Sequence, residues 1–300
     1  MCELLGVSCN QETRIRFSFA KLAQESRKHR DGWGIGYYRI HPIHKVPYAV
    51  IFKEPIESFR SELSLRVSDC DLVKSRVIIS HIRRASTGSH VPLNTHPFEL
   101  ALDPRKDSNQ EKSWIFAHNG TIDFTREPVG QLKDENFPLH ELTPHGDTDS
   151  EYAFCYIMNV LRESYVKSNF TLKTEEKRTL IERAANSIDD KYSKSMNFLI
   201  SDGHRIYAYY SGYDRSGGLW YLLRQPPHKN IKLKDERDGQ EISLDKAETE
   251  FAAVIATTKL TVEEQWQKLE ERKVYCFEDG ALLEDGVLSE HSHDEMNQVS

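Results

Sequence analysis

Cys2 stands directly after the initiator methionine. Removal of Met1 would make it the N-terminal residue, with a thiol and a free α-amine on one carbon frame. An unperturbed α-amine has a pKa of about 7.7–8.0, so part of it is neutral near pH 7. Such an amine can take the thiol proton, directly or through one water, and form a self-contained nucleophile–base pair. A cysteine at position 2 is no signature by itself, because most are incidental. Other segments carry groups that suit the same chemistry. FAHNGT at 116–121 reads as a strand turning at Asn119-Gly120, with a side-chain amide and a backbone N–H at one point. Those two donors can hold a carbonyl oxygen as it becomes an oxyanion. An ordinary Asn-Gly turn is the alternative. HIRRASTG at 81–88 follows the apolar run VIIS, and a strand end is where side chains emerge into a cleft. One of its two adjacent arginines can offer a guanidinium fork to a substrate carboxylate, or both can pair with surface acids. In GDTDSE at 146–151, Asp147, Thr148, Asp149 and Ser150 all suit a helix N-cap. Capping needs one of them and leaves a carboxylate for a ligand ammonium group. DGWGIG at 31–36 lacks the G-x-G-x-x-G spacing of a dinucleotide site. It reads as a tight turn into a strand, or as glycines that permit close backbone approach.

These segments need a scaffold, and strand-like runs dominate the chain. They lie at 2–8, 33–40, 77–82, 114–117, 197–200, 205–210, 219–223, 252–257 and 274–277, rich in β-branched and aromatic residues. Several are apolar on consecutive positions, as expected of a sheet covered on both faces. Helical spacing appears at 17–28, 150–166 and 175–188. Strands in hairpin-like succession with helices between groups predict an α+β fold of layered antiparallel sheets. Tyr37, Tyr38, Tyr207, Tyr209 and Tyr210 are expected to pack in the core or at an interface. Residues 103–112 and 232–250 read as charged insertions. One domain is expected over 1–288, with 289–300 a polar, disordered tail.

The 300 residues carry 40 Lys and Arg against 47 Asp and Glu, a net charge of −7. That balance argues against general binding to nucleic acid or to an anionic membrane. No apolar run approaches the roughly 18 residues of a membrane span, and no secretory signal is visible. The five cysteines include no C-x-x-C pair, which suggests a reduced, cytoplasmic protein rather than a disulfide scaffold. His81, His96 and His118 accompany the motifs, but the spacings of a zinc hydrolase are absent. Structural hydrogen bonding is the expected role of all three.

In this order, MC, the Gly-rich strand, HIRRASTG, NTHPF at 94–98, AHNG at 117–120 and GDTDSE resemble the class II glutamine amidotransferases, which are N-terminal-nucleophile hydrolases. The stand-alone, YafJ-type members are most similar. They share MCELLG, the DGWGI segment, FLISDG at 198–203, VIATT at 254–258 and Trp266-Gln267-Lys268. The resemblance implies a four-layer αββα sandwich of two antiparallel sheets. It implies that Cys2 attacks the γ-amide of glutamine or of a γ-glutamyl compound, giving a γ-glutamyl thioester. Asn119 and the Gly120 N–H would form the oxyanion hole. Arg83 would bind the substrate α-carboxylate and Asp149 its α-ammonium, with Ser86 and Thr87 lining the pocket. No cofactor and no metal are implied. The partner is glutamine or a γ-glutamyl small molecule, with a separate synthase or a homo-oligomer as further partners. The remainder of the chain after the match is too short for a fused synthase domain. An ammonia-donating glutaminase subunit, or a non-catalytic subunit that kept the pocket, is the alternative. Glu3 and Arg84 depart from the larger enzymes, which have Gly and Trp there.

Overall fold

Alternation of side chains across each strand decides which of its faces is buried, and here both faces of most strands are covered. In the computed structural model the described residues are 2–14, 31–69, 72–84, 88–102, 113–123, 142–169, 171–212, 218–227, 232–234, 241–243, 249–284 and 287–288. The expected helix at 17–28, the insertion at 103–112, the tail at 289–300, and Ser86 and Thr87 lie outside them.

One seven-stranded antiparallel sheet contains β1 (Glu3–Thr13), β2 (Gly32–Ile40), β3 (Pro47–Glu54), β4 (Ser75–Arg83), β9 (Trp220–Arg224), β12 (Ala252–Ala256) and β13 (Gln267–Lys268). Its order is β13-β9-β12-β1-β4-β2-β3. The second contains β5 (Phe98–Ala101), β6 (Ser113–Ile122), β7 (Ser193–Ser201), β8 (Arg205–Tyr210), β14 (Val274–Glu278), β15 (Ala281–Glu284) and β16 (Val287–Leu288). Its order is β16-β15-β14-β8-β7-β6-β5. A short hairpin, β10 (Lys232–Lys234) and β11 (Glu241–Ser243), interrupts the stretch read as a plain charged insertion.

The sheets face each other across a core that includes Leu4, Val77, Ile79, Ile115, Ala117 and Leu199. Tyr38 stitches them together: its hydroxyl donates to the Ser201 carbonyl at 2.9 Å and accepts from the Ile115 N–H at 3.1 Å. All five tyrosines expected in the core are buried. Helices α2 (Asp149–Lys167) and α3 (Thr174–Tyr192) cover the outer face of the second sheet through Phe154, Ile157, Leu161, Ile181 and Ala184. On the outer face of the first sheet, Val67 of α1 (Glu62–Asp69), Leu260 and Trp266 pack over Trp33, Ile35 and Ile82. The fold is the expected α+β sandwich of two antiparallel sheets. No helix among the described residues is long and apolar enough to cross a membrane.

A buried ion pair closes the turn between β7 and β8. Lys177 Nζ donates to Asp202 Oδ2 at 2.7 Å, and both side chains are less than a tenth exposed. Burial pushes the Asp202 carboxyl up, but Lys177 and Arg205 outweigh it and hold it below its ordinary value. Lys177 is held above its own, because Asp202 and Tyr165 outweigh burial.

Candidate active site

Period-two alternation aims the chemistry at one end of the space between the sheets. Leu4 on β1, Val77 and Ile79 on β4, and Ile115 and Ala117 on β6 all face that space. Cys2, Arg83 and Asn119 share their faces. Glu3 pairs with Ile82, which leaves Cys2 beside the end of β4. There the thiol is clasped by the backbone of one residue: Cys2 Sγ accepts from the Arg84 N–H at 3.0 Å and donates to the Arg84 carbonyl at 3.2 Å. From the other sheet, Asn119 Nδ2 donates to the Cys2 carbonyl. Burial raises the Cys2 thiol to about 11, against the opposing pull of the Arg84 N–H and Arg83. A thiol held above its ordinary value is mostly protonated at pH 7, so attack by this sulfur would require a base.

The structure corrects the expected turn at Asn119-Gly120. Both residues lie inside β6, which continues to Ile122 with an irregularity after Thr121. Glycine is required for a different reason. Gly120 has φ +152°, and a Cβ there would sit 2.0 Å from the Ser195 carbonyl oxygen on β7. The tight strand contact leaves the peptide next to Asn119 without side-chain cover.

Arg83 is buried while Arg84 is exposed, so the two adjacent arginines part company at the strand end. The Arg83 guanidinium donates to the carbonyls of Asp31, Ser89 and Gly88 at 3.4–3.5 Å. Burial lowers its pKa, and Cys2, Asp31, Asp147 and Asp149 act to raise it. A cation thus lies among carboxylates next to the thiol. The α2 N-cap is Thr148, whose side chain accepts from the Glu151 N–H at 3.2 Å. Asp149 is therefore not used as the cap. Its Oδ2 accepts from the Ile122 N–H at 2.9 Å and its Oδ1 from the Ser150 N–H at 2.9 Å, which ties the helix start to the end of β6. Oδ1 also accepts from the Ser150 hydroxyl at 3.3 Å.

The Gly-rich strand and the NTHPF segment meet. Gly34 faces the second sheet, and a Cβ on it would lie 2.1 Å from the His96 carbonyl oxygen. Lys53 Nζ, on the neighbouring β3, fixes that segment by donating to the Thr95 and Pro97 carbonyls at 2.7 and 3.2 Å. Asn94 then links the segment to the α2 approach: it donates to the Ser89 carbonyl and to Asp147, and accepts from the Asp147 N–H at 3.1 Å. The motifs spread over residues 2–151 are therefore one connected wall around Cys2.

The model of the class II glutamine amidotransferases matches residues 1–299. The chain belongs to this family. It is 33% identical over 282 residues to the Escherichia coli protein YafJ, provisionally named a glutamine amidotransferase, covering 92% of this chain and 98% of that protein. An uncharacterised protein of Methanocaldococcus jannaschii is 32% identical over 283 residues, covering 94% of this chain and 71% of that protein. A Pseudomonas aeruginosa structure titled as a glutamine amidotransferase by prediction superimposes with a TM-score of 0.63 at 26% identity, covering 94% and 100% of the two chains. The Bacillus subtilis glutamine phosphoribosylpyrophosphate amidotransferase shares the fold, with a TM-score of 0.54 at 14% identity. The match covers 94% of this chain and 48% of that one.

In this class II chain the three histidines play unequal parts. His118 Nδ1 lies 2.8 Å from Ser150 Oγ, as expected of a supporting hydrogen bond. His96 departs from that expectation. Neither ring nitrogen has a hydrogen-bond partner among the described residues, and the ring packs 4.3 Å from His81 and 4.5 Å from Phe98. Burial, with His81 next to it, pushes His96 well below the usual histidine range, so it is a neutral packing group. No three His, Cys, Asp or Glu side chains among the described residues are grouped to hold a metal ion. Sequence reasoning missed the joining roles of Asn94 and Lys53. Asn94 lies inside NTHPF, whereas Lys53 belongs to no recognised segment and carried no signal.

Proposed function

We propose that the chain is a cysteine amidohydrolase that cleaves the γ-amide of glutamine or of a γ-glutamyl compound through a thioester on Cys2. The observation that supports this most is the meeting of the Cys2 thiol, Asn119 and the buried Arg83 at one end of the sandwich. With Met1 removed, the α-amine takes the thiol proton and the sulfur attacks the γ-carbonyl carbon. Asn119 has a second amide proton beyond the one given to Cys2, and with the Gly120 N–H it holds the oxyanion. The ammonium formed at the α-amine returns its proton to the leaving nitrogen as the C–N bond breaks. Water then hydrolyses the thioester, releasing glutamate and restoring the thiol. Arg83 binds the substrate α-carboxylate and Asp149 its α-ammonium. Each such contact to a charged partner is worth about 1.5–3 kcal/mol.

The test is glutamate release from glutamine, γ-glutamyl dipeptides and N-acetylglutamine by protein whose intact mass shows loss of Met1. Turnover of the first two and rejection of the third supports the head-group assignment; efficient N-acetylglutamine turnover removes it. A second reading is an ammonia-donating glutaminase subunit serving a separate synthase. It draws on the Bacillus subtilis enzyme, of which this fold matches 48%. Strict selectivity for glutamine over γ-glutamyl dipeptides would favour it.

A further inference from the structure

Glu3 replaces the glycine of the larger enzymes, and its side chain is 7% exposed on the strand that carries the nucleophile. Its Oε2 accepts from Thr257 Oγ1 at 2.6 Å and from Thr258 Oγ1 at 3.0 Å. Thr257 is itself fully buried and does more than hold the carboxylate. Its Oγ1 accepts from the Leu4 N–H at 3.1 Å, and its own N–H donates to the Leu4 carbonyl at 3.3 Å. The β1–β12 ladder ends at Leu5 and Ala256, so these bonds carry the pairing to the residues next to Cys2. The following loop is anchored as well. Arg224 grips Glu264 through two bonds of 2.6 and 2.7 Å, Thr261 donates to Glu264, and Trp266 Nε1 donates to Thr261 Oγ1 at 3.1 Å. The VIATT and WQK segments are thus the two ends of one strap, and Glu3 is the point where it holds β1.

We propose that Glu3, Thr257 and Thr258 form a positioning clip for the nucleophile, acting through β1 rather than by touching substrate. Cys2 is otherwise held at its thiol by Arg84 and at its carbonyl by Asn119. The next residues, Glu3 and Leu4, pair with Ile82 and His81 of β4, which holds one edge of the strand only. A terminal residue frays unless its neighbours are tied down. The clip ties them from the side opposite β4 and fixes where the sulfur and the α-nitrogen of the mature protein point. Displacement of a reacting group by about 1 Å can cost about 10²-fold in rate.

This inference rests on the amidohydrolase reading, and its test keeps the two apart. Thr257→Val removes the hydroxyl at nearly constant volume, and Thr257→Ser keeps it. The clip requires kcat for glutamate release to fall by roughly 10- to 100-fold in the valine variant, with KM little changed and the serine variant restored. Alkylation of Cys2 by iodoacetamide, followed by peptide mass, needs no substrate. It should slow by roughly 3- to 10-fold in the valine variant as the sulfur loses its Arg84 N–H. Wild-type values of kcat and alkylation rate in Thr257→Val would overturn the clip. So would equal impairment of both variants with a common drop in unfolding midpoint. Absence of glutamate release from the wild type would sink the amidohydrolase reading alone, and the alkylation comparison would still decide the clip.

Discussion

Replacing Gly34 with alanine tests whether the Gly-rich strand exists to seat the 94–97 segment. The added Cβ would meet the His96 carbonyl oxygen at 2.1 Å, Lys53 Cβ at 2.8 Å and Pro97 Cδ at 3.0 Å. Against an ordinary contact of about 3.4 Å, the first is short by about 1.3 Å. No flexible chain end can yield, because the nearest atom is backbone and Lys53 bonds hold the segment at Thr95 and Pro97. Overpacking in a fitted core costs about 1–3 kcal/mol, and a backbone obstacle belongs at the upper end of that range. At about 2–4 °C per kcal/mol, the unfolding midpoint should drop by about 6 °C or more. The same displacement passes through Asn94 to Asp147 and the Arg83 wall, so kcat/KM should fall by about 10²-fold. Thermal unfolding by circular dichroism and glutamate release on one preparation measure both. A variant within 1 °C of wild type with unchanged kcat/KM would refute the packing account of DGWGIG.

Other expectations follow from single groups. In protein that retains Met1, Cys2 alkylation should climb tenfold per pH unit up to about pH 11, since burial raises the thiol; a plateau near pH 8.5 would contradict that environment. Asn119→Ala should lower kcat by about 10²–10³ with a smaller change in KM, and a pure KM effect would move Asn119 to ground-state binding. Asp202→Asn should destabilise by about 3–5 kcal/mol in urea unfolding, because Lys177 is left buried without its carboxylate. The Asp202 carboxyl is held below its unfolded value, so its contribution is present above that value and lost as pH falls through the folded one. A wild-type acid-unfolding profile unchanged by the substitution would remove the pair from the stability account.

Much of the scaffold was readable because its strands are apolar on consecutive positions and its two long helices have clean stripes. β3 was passed over although residues 48–52 form a continuous apolar run; as an edge strand it is half-exposed along most of its length and carries no residue of the recognised segments. α1 is too short to display a stripe beyond Leu63 and Val67. Asn119-Gly120 misled because the dipeptide carries the strongest local turn signal. Its glycine is instead demanded by Ser195, a residue distant in sequence. The same holds for Gly34 and His96, and for Glu3 and Thr257: each residue is visible, but its partner lies across the fold. Site chemistry could be read where one segment contains it. The bonds that hold those segments together join residues with no local signature.

The placement of β1 between β4 and β12 sets an order of events during synthesis. The first strand made finds one neighbour at residues 75–83 but waits for the other until residues 252–256 have left the ribosome. Closure by β12 then completes the pairing of the strand that leads to Cys2. A chain cut before residue 252 therefore keeps an open edge on β1, and the completed pairing reports that translation has passed residue 256.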